Sequence, residues 1–316
     1  MLYVGVDIGG MSIKAGLVNE KGEIVASATV PTRAKNASEE IVGDIAGLVS
    51  GLLADNGLAP DEIGGVGIGS PGSVNDAAGE VRYSCNINFR RTPVTAIIKE
   101  KLGIKNVRIS NDANCAALGE TLFGGGKGAR NSFTVTLGTG VGTGIVCDGR
   151  LITGNASAGA EGGHTCICMG GEMCGCGSRG CYEAYASVSA LIRQTERAMR
   201  AHPESLMNEI AAEQGLDGKT AFIAMKRGDK VAKEVVDTYI SYIGTGLVNF
   251  ANIFWPEVFI VGGAISREGD TLIKPLREYV QANVHSAGYN PPIEVVAATL
   301  GNDAGIVGAA ALVMND

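Results

Sequence analysis

Apolar and polar positions alternate along the first thirty residues in a way that predicts three β-strands. The apolar segments lie at residues 2–6, 13–18 and 24–30, and turns at Gly9-Gly10 and Lys21-Gly22 separate them. Alternation that is interrupted by tight turns is typical of strands that pair as hairpins. We therefore expect the chain to begin with an antiparallel β-meander.

A helical period follows. Residues 38–56 are predicted to form an amphipathic helix, because apolar side chains recur there at intervals of three and four. These side chains are Ile41, Ile45, Leu48, Val49 and Leu52. Residues 65–69 and 107–110 are predicted strands, and the second of them runs into a predicted helix at 113–122.

The pattern of strand, glycine turn and strand recurs in the middle of the chain. A strand is predicted at 132–137, a turn at Gly138 to Gly142 and a returning strand at 144–147. Helices are then predicted at 187–200, 219–227, 230–250 and 303–313, with a strand at 258–261. The repetition predicts two α/β lobes, and 316 residues exceed what one compact core usually holds. We assign residues 1–115 with the C-terminal helix at 302–316 to a smaller lobe and residues 116–301 to a larger one.

Composition and charge narrow the class of protein. The chain is 45% hydrophobic and 19% charged, as is ordinary for globular proteins, and its net charge of −7 disfavours general binding to nucleic acid. The N-terminus lacks the basic and apolar segments of a signal peptide, and no apolar run is long enough to span a bilayer. We therefore expect a cytoplasmic protein without a membrane partner.

The first glycine turn carries a candidate phosphate site. Asp7 ends a predicted strand and is followed by Gly9-Gly10, whose backbone amides a phosphate could approach. Asp7 could also hold magnesium through water. A plain β-turn is the alternative. Glycine at every second position from Gly138 to Gly144 predicts a second turn of the same kind.

Cysteine and histidine spacing predicts a metal site. His164 is followed by Cys174, Cys176 and Cys181, and three thiolates with one imidazole suit tetrahedral zinc. A chance cluster of reduced cysteines is the alternative. Cys166 and Cys168 lie close by in the sequence and could compete for the metal.

These motifs together resemble the ROK family of sugar kinases and sugar-responsive repressors, within the actin-like ATPase superfamily, and the resemblance covers essentially the whole chain. It implies an α/β fold of the actin-like ATPase (ribonuclease H-like) type, with two α/β lobes around a central cleft. It also implies that the two glycine turns bracket the phosphates of ATP while a hexose lies deeper. Gly262-Gly263 resembles the family's turn on the adenosine side, although a turn that enters a helix is the alternative.

The resemblance implies the following contacts with ATP and its magnesium: Asp7, Gly9, Gly10, Ser12, Lys14, Gly138, Thr139, Gly140, Gly142, Gly262 and Gly263. One position departs from the family pattern. Met11 stands where the family usually has Thr, so Ser12 is expected to supply the hydroxyl of the first turn.

Asn111-Asp112 matches the family's sugar and catalytic motif. Asp112 at a strand end could accept the proton of a sugar hydroxyl, where positioning matters more than basicity. The alternative is that Asp112 caps the following helix, and for Asp303, in the same dipeptide before the last helix, the capping role is favoured.

The resemblance also implies the residues that contact the sugar: Ser70, Gly72, Asn86, Asn111, Asp112, Glu161, His164 and Glu183. His164 is expected to bind structural zinc through one nitrogen and the sugar through the other. Glu161 and Glu183 could instead be solvated carboxylates, and Asn86 an ordinary turn residue. We expect Cys181→Ala to weaken sugar affinity strongly, by disordering Glu183, and to change nucleotide affinity less, because the turns at Gly9 and Gly140 lie elsewhere in the sequence.

The function expected from this resemblance is ATP-dependent phosphorylation of the C6 hydroxyl of glucose, in a homodimer or homotetramer. N-acetylmannosamine, fructose or another hexose are alternative substrates. A sugar-sensing transcriptional regulator is less favoured, because the first predicted strand begins by Leu2 and leaves no room for a DNA-binding module. A catalytically inactive actin-like structural protein is disfavoured by the Asn111-Asp112 and zinc motifs.

Overall fold

The computed structural model describes residues 1–314, which form two compact units. Within the described residues, unit 1 comprises 1–132, 144–160 and 299–314, and unit 2 comprises 133–143 and 161–298. These bounds differ from the sequence-based division at residue 115, which falls inside a helix (Asp112–Phe123) that belongs wholly to unit 1.

The strands within the described residues are β1 (Leu2–Ile8), β2 (Ser12–Asn19), β3 (Ile24–Pro31), β4 (Val66–Ser70), β5 (Ser73–Asn75), β6 (Glu80–Tyr83), β7 (Arg90–Thr92), β8 (Val107–Asn111), β9 (Ser132–Leu137), β10 (Val141–Cys147), β11 (Arg150–Leu151), β12 (Val258–Gly262) and β13 (Glu294–Ala297).

The α-helices within the same residues are α1 (Ser38–Asp55), α2 (Val94–Leu102), α3 (Asp112–Phe123), α4 (Glu183–Ala186), α5 (Val188–Ala201), α6 (Leu206–Gln214), α7 (Thr220–Lys226), α8 (Lys230–Phe254), α9 (Asp270–Asn283) and α10 (Ala304–Ala311). No helix among residues 1–314 is both long and apolar enough to cross a membrane.

The main sheet of unit 1 has the strand order β3-β2-β1-β4-β8. β1, β2 and β3 are antiparallel, which confirms the predicted meander, whereas β4 and β8 run parallel to β1. All five predicted apolar residues of α1 are buried in the core of this unit. Parallel strands end at one edge, so Asp7, Ser70 and Asn111 leave the sheet at the same edge.

The C-terminal helix α10 packs on β1, β4 and α3, which confirms the prediction that it returns to the first lobe. The contact depends on glycines, which have no side chain to separate the backbones. A Cβ at Gly67 of β4 would lie 1.7 Å from the carbonyl oxygen of Ala309, and one at Gly308 would lie 1.6 Å from that of Cys115. Backbone therefore meets backbone here, and this packing fixes the position of α3, whose first residue is Asp112.

Unit 1 also contains a small antiparallel sheet, β5-β6-β7, which the sequence pattern did not predict. It follows β4 directly. Ser110 at the end of β8 donates a hydrogen bond of 3.0 Å to Asp76, which lies just after β5. This hydrogen bond ties the small sheet to the strand that precedes Asp112.

Unit 2 is built on strands in the order β10-β9-β12-β13, with β10 continuing from unit 2 into unit 1 at Gly144. β12 and β13 are parallel. Phe133 of β9 stacks on Phe250 of α8 with ring centroids 4.4 Å apart, and Tyr182 meets the same Phe250 edge-on at 5.9 Å. This aromatic core holds the segment around Tyr182, and thereby its neighbours Cys181 and Glu183, against the longest helix.

Candidate active site

Asp112 is the first residue of α3, directly after the cap of that helix. The capping role belongs to Asn111, whose side-chain oxygen accepts hydrogen bonds from the amides of Ala113 (2.9 Å) and Asn114 (3.4 Å). Asp112 Oδ1 accepts a further bond of 2.9 Å from the amide of Ala113. The helix cap therefore does not depend on Asp112, and the capping alternative for this residue loses its support.

Asp303, in contrast, was expected to cap α10 with its side chain, and this expectation is wrong. It occupies the N-cap position but has helical backbone angles, and its side chain makes no capping hydrogen bond. The same dipeptide thus has different roles in two places, because a capping side chain requires an extended backbone, which Asn111 has and Asp303 lacks.

Burial raises the pKa of Asp112 to about 6. This pKa includes a lowering by the amide of Ala113 and a raising by the nearby negative charge of Asp7. A carboxylate with this pKa is largely ionised at neutral pH and is a better proton acceptor than a solvated aspartate. The arrangement therefore suits a general base.

Asp7 ends β1 beside the first glycine turn. Burial raises its pKa, and Lys14, its partner across the β1–β2 pair, lowers it. The turn itself is held by a hydrogen bond of 2.9 Å from Gly9 N to Ser12 O. Met11 lies at the tip of the turn with its side chain 91% exposed, so this departure from the family pattern fills no space in the core.

Thr32 also fixes this turn, although no sequence motif indicated it. Its hydroxyl donates a hydrogen bond of 2.7 Å to Gly9 O, and its amide donates one of 2.9 Å to Met11 O. In the sequence, Thr32 is distinguished only by its position directly after β3, where the preceding residue, Pro31, pairs with Ser12 of β2.

Three further predicted sugar residues belong to unit 1. Ser70 is fully buried at the end of β4, where it is the register partner of Asn111. Gly72 has φ of +100° and accepts a hydrogen bond of 3.2 Å from Asn111 Nδ2. Asn86 is exposed, and its side-chain oxygen lies 3.5 Å from Cys85 Sγ. The structure thus brings Ser70, Gly72 and Asn111 together.

The second glycine turn is in unit 2, between β9 and β10. Gly138 N donates to Gly140 O at 3.0 Å, and Ser189 of α5 donates to Thr139 O at 2.8 Å. Gly263 follows β12 beside it, with φ of +90°, and a Cβ there would lie 2.0 Å from Leu137 O. The chain then enters a 3-10 helix (Ala264–Glu268), so Gly262-Gly263 is both a turn into a helix and a close neighbour of the second glycine turn.

Glu183 connects this turn to the cysteine cluster. Its Oε2 accepts a hydrogen bond of 3.0 Å from Val141 N, and its Oε1 lies 3.4 Å from Cys174 Sγ. A Cβ on Gly140 would lie 2.4 Å from the same carboxylate. The alternative of a solvated carboxylate is therefore wrong for Glu183, and the cysteine-containing loop contacts the second glycine turn although the two lie apart in the sequence.

Glu161 and His164 are held near the start of β10 by the glycines between them. Gly162 N donates a hydrogen bond of 2.8 Å to the hydroxyl of Thr143, and a Cβ on Gly163 would lie 2.2 Å from Val141 O. Glu161 is exposed. Thr143 is the second residue, after Thr32, that stabilises a turn of the site and that the sequence analysis did not identify.

The predicted metal ligands converge. The ligand atoms of His164, Cys174, Cys176 and Cys181 all lie within 4.8 Å of one another. The Sγ atoms of Cys176 and Cys181 are 3.7 Å apart, as are His164 Nδ1 and Cys174 Sγ. Three sulfurs at about 2.3 Å and one nitrogen at about 2.0 Å from one zinc ion would be about 3.5 to 3.8 Å apart at the corners of a tetrahedron. The donor set and its spacing therefore fit zinc.

Comparison with known proteins identifies the family of this chain. The sequence signature of the ROK family matches residues 3–316. A glucokinase of Streptomyces coelicolor is 40% identical over 315 residues, which cover 98% of this chain and 97% of that protein. A glucokinase of Thermotoga maritima is 38% identical over 312 residues, with 98% and 96% covered.

A solved structure agrees with these relatives. A ROK family glucokinase from Streptomyces griseus in complex with glucose and AMPPNP has a TM-score of 0.79 at 37% identity, covering 99% of both chains. The fold is the α/β, two-lobe fold of the actin-like ATPases. Within that class, this chain belongs to the ROK family.

Proposed function

We propose that this chain is an ATP-dependent glucokinase that transfers the γ-phosphoryl group of ATP to the C6 hydroxyl of glucose. The observation that carries the proposal is Asp112, a half-buried carboxylate with a pKa of about 6 at the junction of β8 and α3. The glucokinases of Streptomyces and Thermotoga that match nearly the whole chain support the choice of glucose.

In the proposed reaction, Asp112 orients the C6 hydroxyl and takes its proton as the oxygen attacks the γ-phosphorus. The bond from that phosphorus to the bridging oxygen breaks, and ADP leaves with the electron pair. Asn111 holds the start of α3 independently, so Asp112 can change its protonation without losing the helix cap. Asp7 would hold magnesium through water, and the ion would neutralise charge on the phosphates.

The remaining site residues are proposed from the family resemblance. In unit 1, the turn at Gly9, Gly10 and Ser12 with Lys14 would contact phosphates, and Ser70, Gly72, Asn86 and Asn111 would contact the hexose. In unit 2, Gly138, Thr139, Gly140, Gly142, Gly262 and Gly263 would contact the nucleotide, and Glu161, His164 and Glu183 would contact the hexose. The half-buried carboxylate of Glu183 and the exposed ring of His164 are compatible with these roles.

His164, Cys174, Cys176 and Cys181 would hold one zinc ion per chain. With four protein ligands the ion has no open position, so it would supply rigidity to the loop rather than Lewis-acid chemistry. Elemental analysis of the native protein tests this site, since less than half an equivalent of zinc per chain would argue against it. A cytoplasmic location and a homodimer or homotetramer remain predictions from the sequence.

A coupled ADP-release assay over a panel of hexoses tests the function. We expect kcat/KM to be highest for glucose, and a higher value for N-acetylmannosamine or fructose would assign the chain to another hexose. Asp112→Asn should lower kcat by about a thousandfold or more while retaining glucose binding, because it keeps the shape and removes the proton acceptor. Asp61→Asn, at an exposed position, is the matched control. Near-normal turnover of Asp112→Asn would exclude Asp112 as the base.

A further inference from the structure

Two cysteines lie next to the metal ligands without belonging to the set that converges. Cys166 and Cys168 are exposed free thiols on the segment that follows His164. Cys166 forms an isolated antiparallel bridge with Cys181, which is one of the four ligands. A thiol outside the metal site thus stands directly opposite a thiol inside it.

The backbone hydrogen bonds around this bridge define its type. Ile167 N donates to Gly180 O at 2.9 Å, and Tyr182 N donates to Thr165 O at 2.7 Å. The bonds flank Cys166 and Cys181 on both sides, so the two cysteines are a non-hydrogen-bonded pair. In such a pair the Cα atoms are about 4.5 Å apart and the side chains lie on the same face.

This separation is within the range that a disulfide bond spans, about 4.4 to 6.8 Å between Cα atoms. The Cys166 thiol also lies toward the opposite segment, because a Cβ on Gly180 would be 3.1 Å from Cys166 Sγ. A disulfide between Cys166 and Cys181 therefore requires rotation of two side chains and little movement of the backbone.

The other thiols are placed differently. Cys168 Sγ lies near Gly171, where a Cβ would be 3.0 Å away, and no bridge pairs Cys168 with another cysteine in residues 1–314. Cys176 and Cys181 are 3.7 Å apart, but both belong to the metal set. Among these thiols, Cys166 is exposed, is not one of the four candidate metal ligands and lies directly opposite one of them, Cys181.

We propose that Cys166 and Cys181 form a peroxide-sensitive thiol pair whose oxidation removes a ligand from the metal site. Hydrogen peroxide oxidises the exposed Cys166 thiol to a sulfenic acid, and one water leaves. The Cys181 sulfur then attacks the Cys166 sulfur, and the sulfenic oxygen leaves as a second water after taking a proton. In total, the Cys166 thiol, the Cys181 thiolate, one peroxide and one proton from solvent give one disulfide and two waters.

The consequence for the metal follows from its ligand count. The disulfide leaves His164, Cys174 and Cys176, so that a tetrahedral site loses one of three thiolates. Zinc affinity falls and the ion is released. A reductant such as dithiothreitol restores Cys181, and zinc can bind again.

The experiment follows zinc and the disulfide directly, so it does not depend on the proposed kinase activity. Protein loaded with one equivalent of zinc and freed of excess metal is treated with hydrogen peroxide. Zinc release is followed with a chromogenic chelator, and the disulfide is located by mass spectrometry of peptides from the unreduced protein. Cys166→Ser is compared with Cys168→Ser, which removes the neighbouring exposed thiol as a matched control.

We expect the wild type and Cys168→Ser to release zinc with formation of the Cys166–Cys181 disulfide, and dithiothreitol to reverse it. Cys166→Ser should release its zinc about tenfold more slowly, because it lacks the exposed thiol that lies directly opposite Cys181 and is not itself a ligand. Equal release from Cys166→Ser would overturn the proposal, as would a disulfide between other cysteines. Wild-type protein that holds no zinc would overturn it as well, whether or not the chain proves to be a glucokinase.

Discussion

Burial makes Asp112 a stronger base than a solvated aspartate, and this can be seen in the pH dependence of catalysis. Because its pKa is about 6, kcat/KM should rise with pH up to about pH 6 and level off above it. The measurement is a pH profile between about pH 5 and about pH 8 at saturating magnesium and ATP. A profile that is flat throughout this range would contradict the proposed role, since an ordinary aspartate is already ionised there.

The raised pKa of Asp112 also affects stability: the ionised carboxylate, which favours catalysis, disfavours the folded state. The folded pKa is raised from 3.8 to about 6, so folding favours the protonated carboxyl, and ionised Asp112 destabilises the fold above about pH 6. Asp112→Asn removes this cost. We expect it to increase the free energy of unfolding at about pH 8 by up to about 3 kcal/mol.

This gain should diminish between the two pKa values and vanish below about 3.8, where the carboxyl is protonated in both states. Denaturant unfolding at several pH values measures it, and Asp61→Asn serves again as the exposed control. A gain that does not vary with pH would show that the change acts through packing and not through the charge.

At the scale of secondary-structure elements, the contact between α3 and α10 determines the position of Asp112. Gly308→Ala would place a Cβ 1.6 Å from the carbonyl oxygen of Cys115, so the helices must separate. We expect a loss of about 2 to 3 kcal/mol in stability, together with lower kcat. Gly47→Ala is the matched control, because it adds the same methyl group at an exposed position of α1 with nothing within 4 Å and should be neutral or stabilising. Equal effects of the two variants on stability and kcat would argue against this contact as a positioning device.

The elements that sequence pattern predicted are those long enough to show a period. The meander, α1, β9 and α8 are confirmed to within a few residues at their ends. The strands β5, β6 and β7 have three or four residues each, too few for alternation to be visible. α9 was missed as well, and it contains Pro275, a residue that normally indicates the end of a helix.

In the candidate site, features contained in a short stretch of sequence could be predicted, whereas features that arise from contacts between distant segments could not. The cluster of candidate metal ligands could be predicted because three of its members lie within eight residues and each has the right chemistry. The pKa of Asp112, the bond from Val141 to Glu183 and the opposition of Cys166 to Cys181 could not. Each depends on burial or on pairing between segments distant in the chain.

For the whole molecule, the metal loop should influence both substrates, because Glu183 touches the second glycine turn as well as the cysteine cluster. Cys181→Ala removes a ligand two positions before Glu183, and the loop then loses the order that the metal would give it. Glu183 Oε2 would no longer be held against Val141 N, the amide that follows Gly140. We therefore expect Cys181→Ala to weaken binding of glucose and of a non-hydrolysable ATP analogue, each on the order of tenfold.

Calorimetry with each ligand alone measures the two affinities. Cys147→Ala is the control, since Cys147 is an exposed cysteine outside the metal set and should leave both affinities unchanged. The glucose affinity of Cys181→Ala reports on Glu161, His164 and Glu183, whereas its nucleotide affinity reports on the bond between Glu183 and Val141. Glu183→Gln separates these effects, because the amide oxygen can still accept from Val141 N while the charge is lost. Nucleotide affinity should then survive in Glu183→Gln and fall in Cys181→Ala, and unchanged nucleotide affinity in Cys181→Ala would mean that the glycine turn holds its shape without the metal loop.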